Sequence, residues 1–547
     1  MASSILSIGQ SALAAAQTGL ATTGHNIANA NTPGYSRQVV IQGPANAQYA
    51  GYGFVGKGTE VVAVKRVYNE FLNNQVLSAQ TSKNALDSYY SQIKQIDNML
   101  ADTSSGISSS MQEFFNSIQG LTTNPNASGS RQLALSNASA LAARFQAMSG
   151  RLSEMREAVN GEISSSVSTI NNYASQIAKL NDSIEKAQSA GGIDNAPNDL
   201  LDQRDYLVSE LSKEVKVSVV KQGNSYNVFI GNGQPVVMGA KNYELAAVPS
   251  DTDPTRLEVA YRSNGTTTVL PESNLTGGRL SGLFDFRSKT LDQAQNALGR
   301  VALGLAMTFN AQHAQGYDQN GVAGSAFFTA AVPLVHASST NDKTAAAMVG
   351  ASISNPSALT TSDYMLEAVG TGAYRITRVS DGTVTNFSGF PVTVDGVDFN
   401  LTSGTPALGD RFLVRPTANG ASQFGLAISD TTKIAVAGST PADPKDNDNA
   451  LLLAKLQTSK VLGGDTFQGA YGQLVSQIGS KTHELEVTSA AEAKLLESAV
   501  AAQQNESGVN LDEEATNLLR YQQAYQAAGK VMQTASQLFD VLLSIGN

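Results

Sequence analysis

The chain has 547 residues, of which 41% are hydrophobic and only 15% charged, and its net charge is −10. The length allows three or four domains, while the acidic balance excludes the basic footprint of a nucleic-acid binder and a polybasic membrane anchor. With no cysteine, disulfides, cysteine-ligated zinc, iron–sulfur clusters and thiol nucleophiles are excluded, and His25, His313, His336 and His483 have no metal-ligand spacing.

The first 30 residues lack a basic leader and an unbroken apolar run, so they do not read as a cleaved signal. No stretch is long and apolar enough for a membrane span. Residues 3 to 30 predict one helix. Leu6, Leu13, Leu20 and Ile27 recur every seven residues, and Ala2, Gly9, Ala16 and Thr23 do so on a neighbouring line. Asn31-Thr32-Pro33-Gly34 ends it, because the residue before proline avoids the helical region and glycine permits positive φ.

Residues 36–42 and 59–66 read as strands. Between them Gly51, Gly53 and Gly56 match a dinucleotide fingerprint by letters, and Gly56-Lys57 resembles a phosphate loop. That loop needs Ser or Thr where Gly58 stands, and a strand rather than a helix follows. A turn joining two strands is the expectation.

Further helices are marked by Leu72, Ala79, Leu86, Ile93 and Leu100. A second line runs through Ile163, Val167, Ile170, Ala174, Ile177 and Ile184, broken by Asn181, and a third through Leu291, Ala294, Leu298, Val301 and Leu305. A last internal helix is predicted over 468–504. Val215, Val217 and Val219 alternate, and a turn at Gly223-Asn224 leads to Tyr226, Val228 and Ile230. A denser β block covers 362–416, with Asp381-Gly382 and Asp395-Gly396 as hairpin turns. Asp446-Asn447-Asp448-Asn449 fails as a calcium loop, with Leu451 and Gln457 where Gly and Glu belong; it reads as a turn and helix cap. No nucleophile elbow, zinc-helix motif or paired carboxylates appear, so no catalytic residue, metal or cofactor is expected. His25 and the pair Tyr521 and Tyr525 read as helix-packing residues.

At the C-terminus, Leu518, Tyr521, Tyr525, Ala528, Met532, Ala535, Phe539 and Leu542 alternate steps of three and four, a coiled-coil seam. Asn510 is the expected cap, with Glu513 completing a capping box. The fold class is therefore mainly α with β insertions (α+β) and a nested order. Residues 1–33 plus 510–547 form a terminal coiled-coil domain, and 34–330 plus 431–509 a helical middle domain with β-hairpins. Residues 331–430 form a β-rich insert. Neither terminal helix carries enough large apolar side chains to offset the entropy of ordering it alone. Both are expected to become ordered against neighbouring subunits.

TTGHNIANANTPGYSRQVV (22–40) resembles the N-terminal motif shared by rod, hook and hook-associated proteins, the axial family of the bacterial flagellum. SGVNLDEEATNLLRYQQAYQAAGKVMQTASQLFDVLLSI (507–545) resembles their C-terminal motif. The form NTPGYSRQ, DLLDQRDYLVSELS (199–212), DNDNALLLAKLQ (446–457) and the total length narrow the resemblance to the junction members between hook and filament. It covers most of the chain and is weakest over 330–430.

The resemblance implies a structural, non-enzymatic role in an extracellular flagellar junction, with export through the flagellum's own apparatus and no cleaved signal. The implied partners are copies of the chain in a ring, the hook protein, the second junction protein (hook-associated protein 3) and an export chaperone on the C-terminal helix. Neither nucleic acid nor membrane insertion is implied. The terminal helices are expected to form an inner tube, the middle domain an outer wall, and the insert an outward projection. Leu6, Leu13, Leu20, Ile27, Leu518, Tyr525, Met532, Phe539 and Leu542 are then the assembly residues. Asn29, Asn31, Pro33, Gly34 and Tyr35 form the turn out of the tube. Alternatives are a distal rod or hook subunit, or an axial scaffold displaying an adhesin-like or hydrolytic outer domain.

Overall fold

The computed structural model describes the chain except residues 1, 50, 52, 101–105, 192–195, 224, 264, 441, 442, 444, 546 and 547, and except the side chains of 2–4, 191, 542, 543 and 545. Ala2 and Leu542 of the two heptad lines and Asn224 of the predicted turn thus lie outside the described residues, the first two by side chain.

Helix α1 (Ala2–Asn29) ends as the sequence requires, with Thr32 N donating to Asn29 O at 2.9 Å. The chain reverses into β1 (Gln38–Pro44), which reaches a short hairpin of β2 (Gln48–Tyr49) and β3 (Phe54–Val55). It returns through β4 (Thr59–Arg66), antiparallel to β1 with a bulge at Ile41/Gln42. This ribbon lies along α1. Its near end meets Asn26, and at its far end Thr59 N donates to Ser11 Oγ at 3.3 Å. The glycine-rich stretch connects the two strands as expected but is not a plain turn, since β3 lies within it, and Tyr52 falls outside the described residues.

The body is built from α2 (Glu70–Leu100), α3 (Ile107–Thr123), α4 (Ser128–Gly191), α5 (Asn198–Glu214), α6 (Gly278–Phe286), α7 (Asp292–His313), α8 (Asp448–Lys455) and α9 (Phe467–Ser507). With 64 residues, α4 is about 96 Å long at 1.5 Å per residue. Its line Ile163, Val167, Ile170, Ala174, Ile177 and Ile184 is buried, as are Leu291, Ala294, Leu298, Val301 and Leu305 of α7. One core joins these helices around a ring cluster of Phe114, Phe309, Phe327, Phe328 and Phe424. Asn181 breaks the α4 line because its amide is fully used. It donates to Tyr226 O and Gly239 O at 2.8 and 2.7 Å and accepts from Arg204 at 3.0 Å. That buried polar group is stable there because each of its hydrogen-bonding atoms has a partner.

Two antiparallel sheets cover this helical layer. One has four strands (217–222, 225–230, 234–238 and 241–242), the other three (244–249, 257–263 and 266–269). The second was not read from the sequence. Residues 334–415 supply a five-stranded and a three-stranded sheet with a separate core of Leu366, Ile376, Phe399, Phe412 and Val414. Asp395 and Gly396 have φ of 50° and 77°, the mirror-image turn that Asp-Gly favours. Buried ion pairs fasten this unit to the body. Arg415 reaches Asp253 at 3.2 Å and Asp363 at 3.1 Å, and Asn296 of α7 donates to Asp363 at 2.9 Å. A Cβ on Gly299 would lie 1.8 Å from Thr417 O, so only glycine allows α7 to pass the base of the insert this closely.

His313 closes α7 and is buried. Nδ1–H donates to Ser325 O at 2.6 Å and Nε2 accepts from Ala435 N at 2.9 Å, which fixes the neutral tautomer. Burial holds its pKa below the usual 6.5. The neutral form thus contributes stability that is fully present above the unfolded value and is lost as pH falls below it. We expect the urea midpoint to drop between pH 7.5 and 5.5, by at most about 1.4 kcal/mol per pH unit from this residue. His313→Gln should remove that part of the slope, read from the same titration.

Candidate assembly interface

Helix α10 (Leu511–Ile545) begins at the predicted cap, with Asn510 Oδ1 accepting from Asp512 N at 3.0 Å. Glu513 does not reach back to close a capping box; Arg37 Nη1 donates to it at 2.7 Å instead. Asp512, Glu513 and Glu514 also place negative charge at the positive end of the helix.

α10 packs antiparallel on α1. A Cβ on Gly9 would fall 2.8 Å from Met532 Cγ, and one on Gly19 would fall 2.5 Å from the Tyr521 ring. The buried line of α1 is therefore Gly9, Ala15, Ala16, Gly19, Thr23 and Asn26, facing Glu514, Ala528 and Ala535, with Tyr521 and Met532 half-buried. Small residues let the two backbones approach, and large side chains of α10 fill the glycine notches.

Most of the large heptad residues expected to carry assembly lie beside this contact rather than within it. Leu6 and Ile27 remain 43% and 37% exposed, and Leu13 and Leu20 are half-buried. On α10, Leu518, Tyr525 and Phe539 are exposed, together with Leu511, Val531 and Leu538. Leu511, Leu518 and Tyr525 sit three residues before the seam positions 514, 521 and 528; Val531 and Leu538 sit three after 528 and 535. At about 3.6 residues per turn these are the two flanks of the seam. The helix pair thus closes on its small residues and leaves an apolar shoulder on each side.

The joint to the body is polar. Asn26 Nδ2 donates to Gln38 O at 2.8 Å, and Asn26 Oδ1 accepts from Gln38 N at 2.9 Å and from Tyr35 OH at 2.7 Å. One buried amide therefore fixes the turn, its aromatic end and the first strand. Asn29 caps its own turn through Thr32 Oγ1 and His25 O. Gly34 has φ of 79°, and a Cβ there would fall 2.7 Å from Tyr206 Cβ of α5. Asn31 and Pro33 lie on the exposed crest.

The DQRD stretch receives this turn. Ser36 N donates to Asp202 at 2.9 Å, Gln38 Nε2 to Asp199 at 2.9 Å, and Arg66 binds Asp202 and Asp205 at 2.8 and 2.7 Å. Burial raises the Asp202 carboxyl and, with nearby Asp199 and Asp202, the Tyr35 phenol. Burial opposes the charge of Arg66, but its two carboxylates outweigh that and raise its pKa. On the other side, Arg37 N donates to Ser507 O at 2.9 Å, and its Nε lies 3.1 Å from Glu514, which is 2% exposed. Two clefts flank the turn, of about 540 Å³ beside His25 and Leu180 and about 650 Å³ beside Asn73 and Gln503. Asn26, Arg37, Gln38, Asp199 and Asp202 were not singled out from sequence as joint residues. The usable signal was a polar amide on the small-residue face of a helix.

Among the described residues no cluster of His, Asp or Glu could hold a metal, and no helix is long and apolar enough to cross a membrane. Asp446 accepts from Gly438 N and Asp448 N at 3.0 and 3.1 Å, which makes the expected turn, while Asn447 at the N-cap of α8 makes no side-chain capping bond and donates instead to Thr122 O. Long paired termini and a polar joint to the body are the architecture of a structural subunit.

Comparison with known proteins agrees. Residues 6–35 match the family "Flagella basal body rod protein" and 503–545 match "Flagellar basal body rod FlgEFG protein C-terminal". Residues 93–328 match "Flagellar hook-associated protein FlgK helical domain", and 337–416 match "Flagellar hook-associated protein 1, D2-like domain". Flagellar hook-associated protein 1 of Salmonella typhimurium is 41% identical, over 99% of this chain and 100% of its own. The Escherichia coli K12 protein of the same name is 40% identical over the same shares. The solved flagellar hook junction protein FlgK of Burkholderia pseudomallei is 30% identical, covers 79% of this chain and 99% of its own, and superposes with a TM-score of 0.74. The molecule is a structural component of the bacterial flagellum and not an enzyme. The chain belongs to the flagellar hook-associated protein 1 family.

Gly19→Val tests the notch packing. Replacing glycine inside a helix gains up to about 1 kcal/mol of propensity, but the branch would overlap the Tyr521 ring. Overpacking of this kind costs about 1–3 kcal/mol, so the net expectation is loss. Protease cleavage within α1 should accelerate while the far-ultraviolet signature of the body persists.

Proposed function

We propose that this chain is the subunit of a ring between the flagellar hook and filament, and that the paired α1 and α10 are its self-assembling part. The observation that carries the reading is the pair of apolar shoulders left beside the glycine–alanine seam, with Leu518, Tyr525 and Phe539 on one flank of α10, Val531 and Leu538 on the other, and Leu6 and Ile27 exposed on α1. Such residues lose stability in water and gain it when covered. A helix pair with an uncovered shoulder on each side suits contact with two neighbours, hence a closed or helical array rather than a dimer. In this reading residues 1–33 and 510–547 are the inner tube. Residues 34–330 with 431–509 are the wall, and 331–430 project outward. The hook protein lies on one side and hook-associated protein 3 on the other.

The chain reaches its place through the flagellar export apparatus without a cleaved signal. The apolar line of α10 is what a chaperone groove would hold beforehand. The absence of cysteine leaves an unfolded chain free of cross-links for that passage.

Leu518→Asp with Tyr525→Asp puts charge on a shoulder that is exposed within one chain, so the monomer should fold with an unchanged unfolding midpoint. Cells carrying it should make hooks without filaments and release flagellin into the medium, as cells lacking the gene should. Normal filaments on the double variant would remove the shoulders from the interface. Met532→Asp acts differently, because Met532 fills the Gly9 notch, and should loosen α1 from α10 as well.

A further inference from the structure

Among the described residues, the β2–β3 hairpin carries two strongly exposed aromatic side chains. Tyr49 is 63% and Phe54 76% exposed. They are cross-strand partners, with ring centroids 5.5 Å apart in an edge-to-face arrangement. The root of the hairpin is held. Ala45 N donates to Gly58 O at 3.0 Å, and Gly58, with φ of 97°, sits so close to α1 that a Cβ would fall 2.2 Å from Ser11 Oγ. A rigid root presenting two uncovered rings loses little entropy when those rings are buried.

The same chain has a groove of matching chemistry. A cleft of about 440 Å³ is floored by Ala12, Ala15 and Ala16, between Val40 and Tyr521, with Arg520 on its rim. The Arg520 guanidinium lies 5.1 Å from the Tyr521 ring centroid, placed to meet the face of a second ring. Gln42 also lines this groove, and Tyr49 is seven residues farther along the ribbon. At about 3.3 Å per residue that is roughly 20 Å away, so the rings cannot enter the groove of their own chain.

We infer that the β2–β3 hairpin is an interlock between copies, in which Tyr49 and Phe54 of one chain seat in the Ala12–Ala15–Ala16 groove of the next. The inference rests on the self-assembly reading and adds a defined contact to it. Knob and groove lie at different places on one chain, so the contact is head-to-tail and propagates from copy to copy. The groove is bounded by α1 and α10, which makes the interlock continuous with the apolar shoulders.

The cysteine-free chain allows a direct test in assembled flagella. Phe54→Cys with Ala524→Cys, on the groove wall, should yield a ladder of dimers and higher species on oxidation. Its intensity should be at least ten-fold above either single variant. Wild-type chain present in flagella, with no ladder from the double variant, overturns the interlock and leaves the self-assembly reading standing. Cross-linking of the Phe54→Cys thiol only to a subunit of different mass also overturns it. Absence of the wild-type chain from flagella overturns both readings. As a second measurement, Tyr49→Ser with Phe54→Ser should keep the wild-type unfolding midpoint and lower incorporation into flagella at least ten-fold. Unchanged incorporation of that variant overturns the interlock.

Discussion

The turn from α1 into the body is built on one buried amide. Asn26, on the small-residue face of α1, holds both backbone groups of Gln38 and the hydroxyl of Tyr35. Hydrogen bonds of this kind contribute only about 0.5–1.5 kcal/mol each, but a buried group left without its partner costs about 1–3. Three of them on one side chain admit one geometry for the turn. Asp199 and Asp202 then hold that turn on α5, and Arg66 bridges Asp202 and Asp205.

The joint also brings together two stretches singled out in the sequence. NTPGYSRQ and DLLDQRD are far apart in the chain yet form the two faces of one contact, with Gly34 against Tyr206 at its centre. Neither is a catalytic motif. They meet through the Ser36 backbone N–H and the Gln38 amide on one side and the Asp202 and Asp199 carboxylates on the other.

Much of the helical layout was legible, because 3.5- and 3.6-residue periodicities run for many turns: the α4 and α7 lines are buried as read. The Asp-Gly hairpins were legible because positive φ restricts residue choice. Which line of each terminal helix meets the other was not. Helix pairs can close on leucines or on glycine and alanine, and periodicity alone does not distinguish the two. The strands over 244–269 were passed over, although the letters Asn264-Gly265 between Leu257–Ser263 and Thr266–Val269 are a hairpin signal. The Arg415, Asp253 and Asp363 cluster was illegible in principle, since it joins residues with no local relation. For the joint, the stretches were visible but not their pairing.

The adjacency of the two chain crossings has a consequence for how the ends find each other. Arg37 N and Ser507 O are hydrogen-bonded at 2.9 Å, so the whole body starts and finishes at one point. Once the body is compact, the diffusional search that separates the termini of a long polymer is already over. α1 and α10 then meet with the loop-closure entropy of a short connection rather than of a chain several hundred residues long. The folded body acts as a staple at the root of the helix pair.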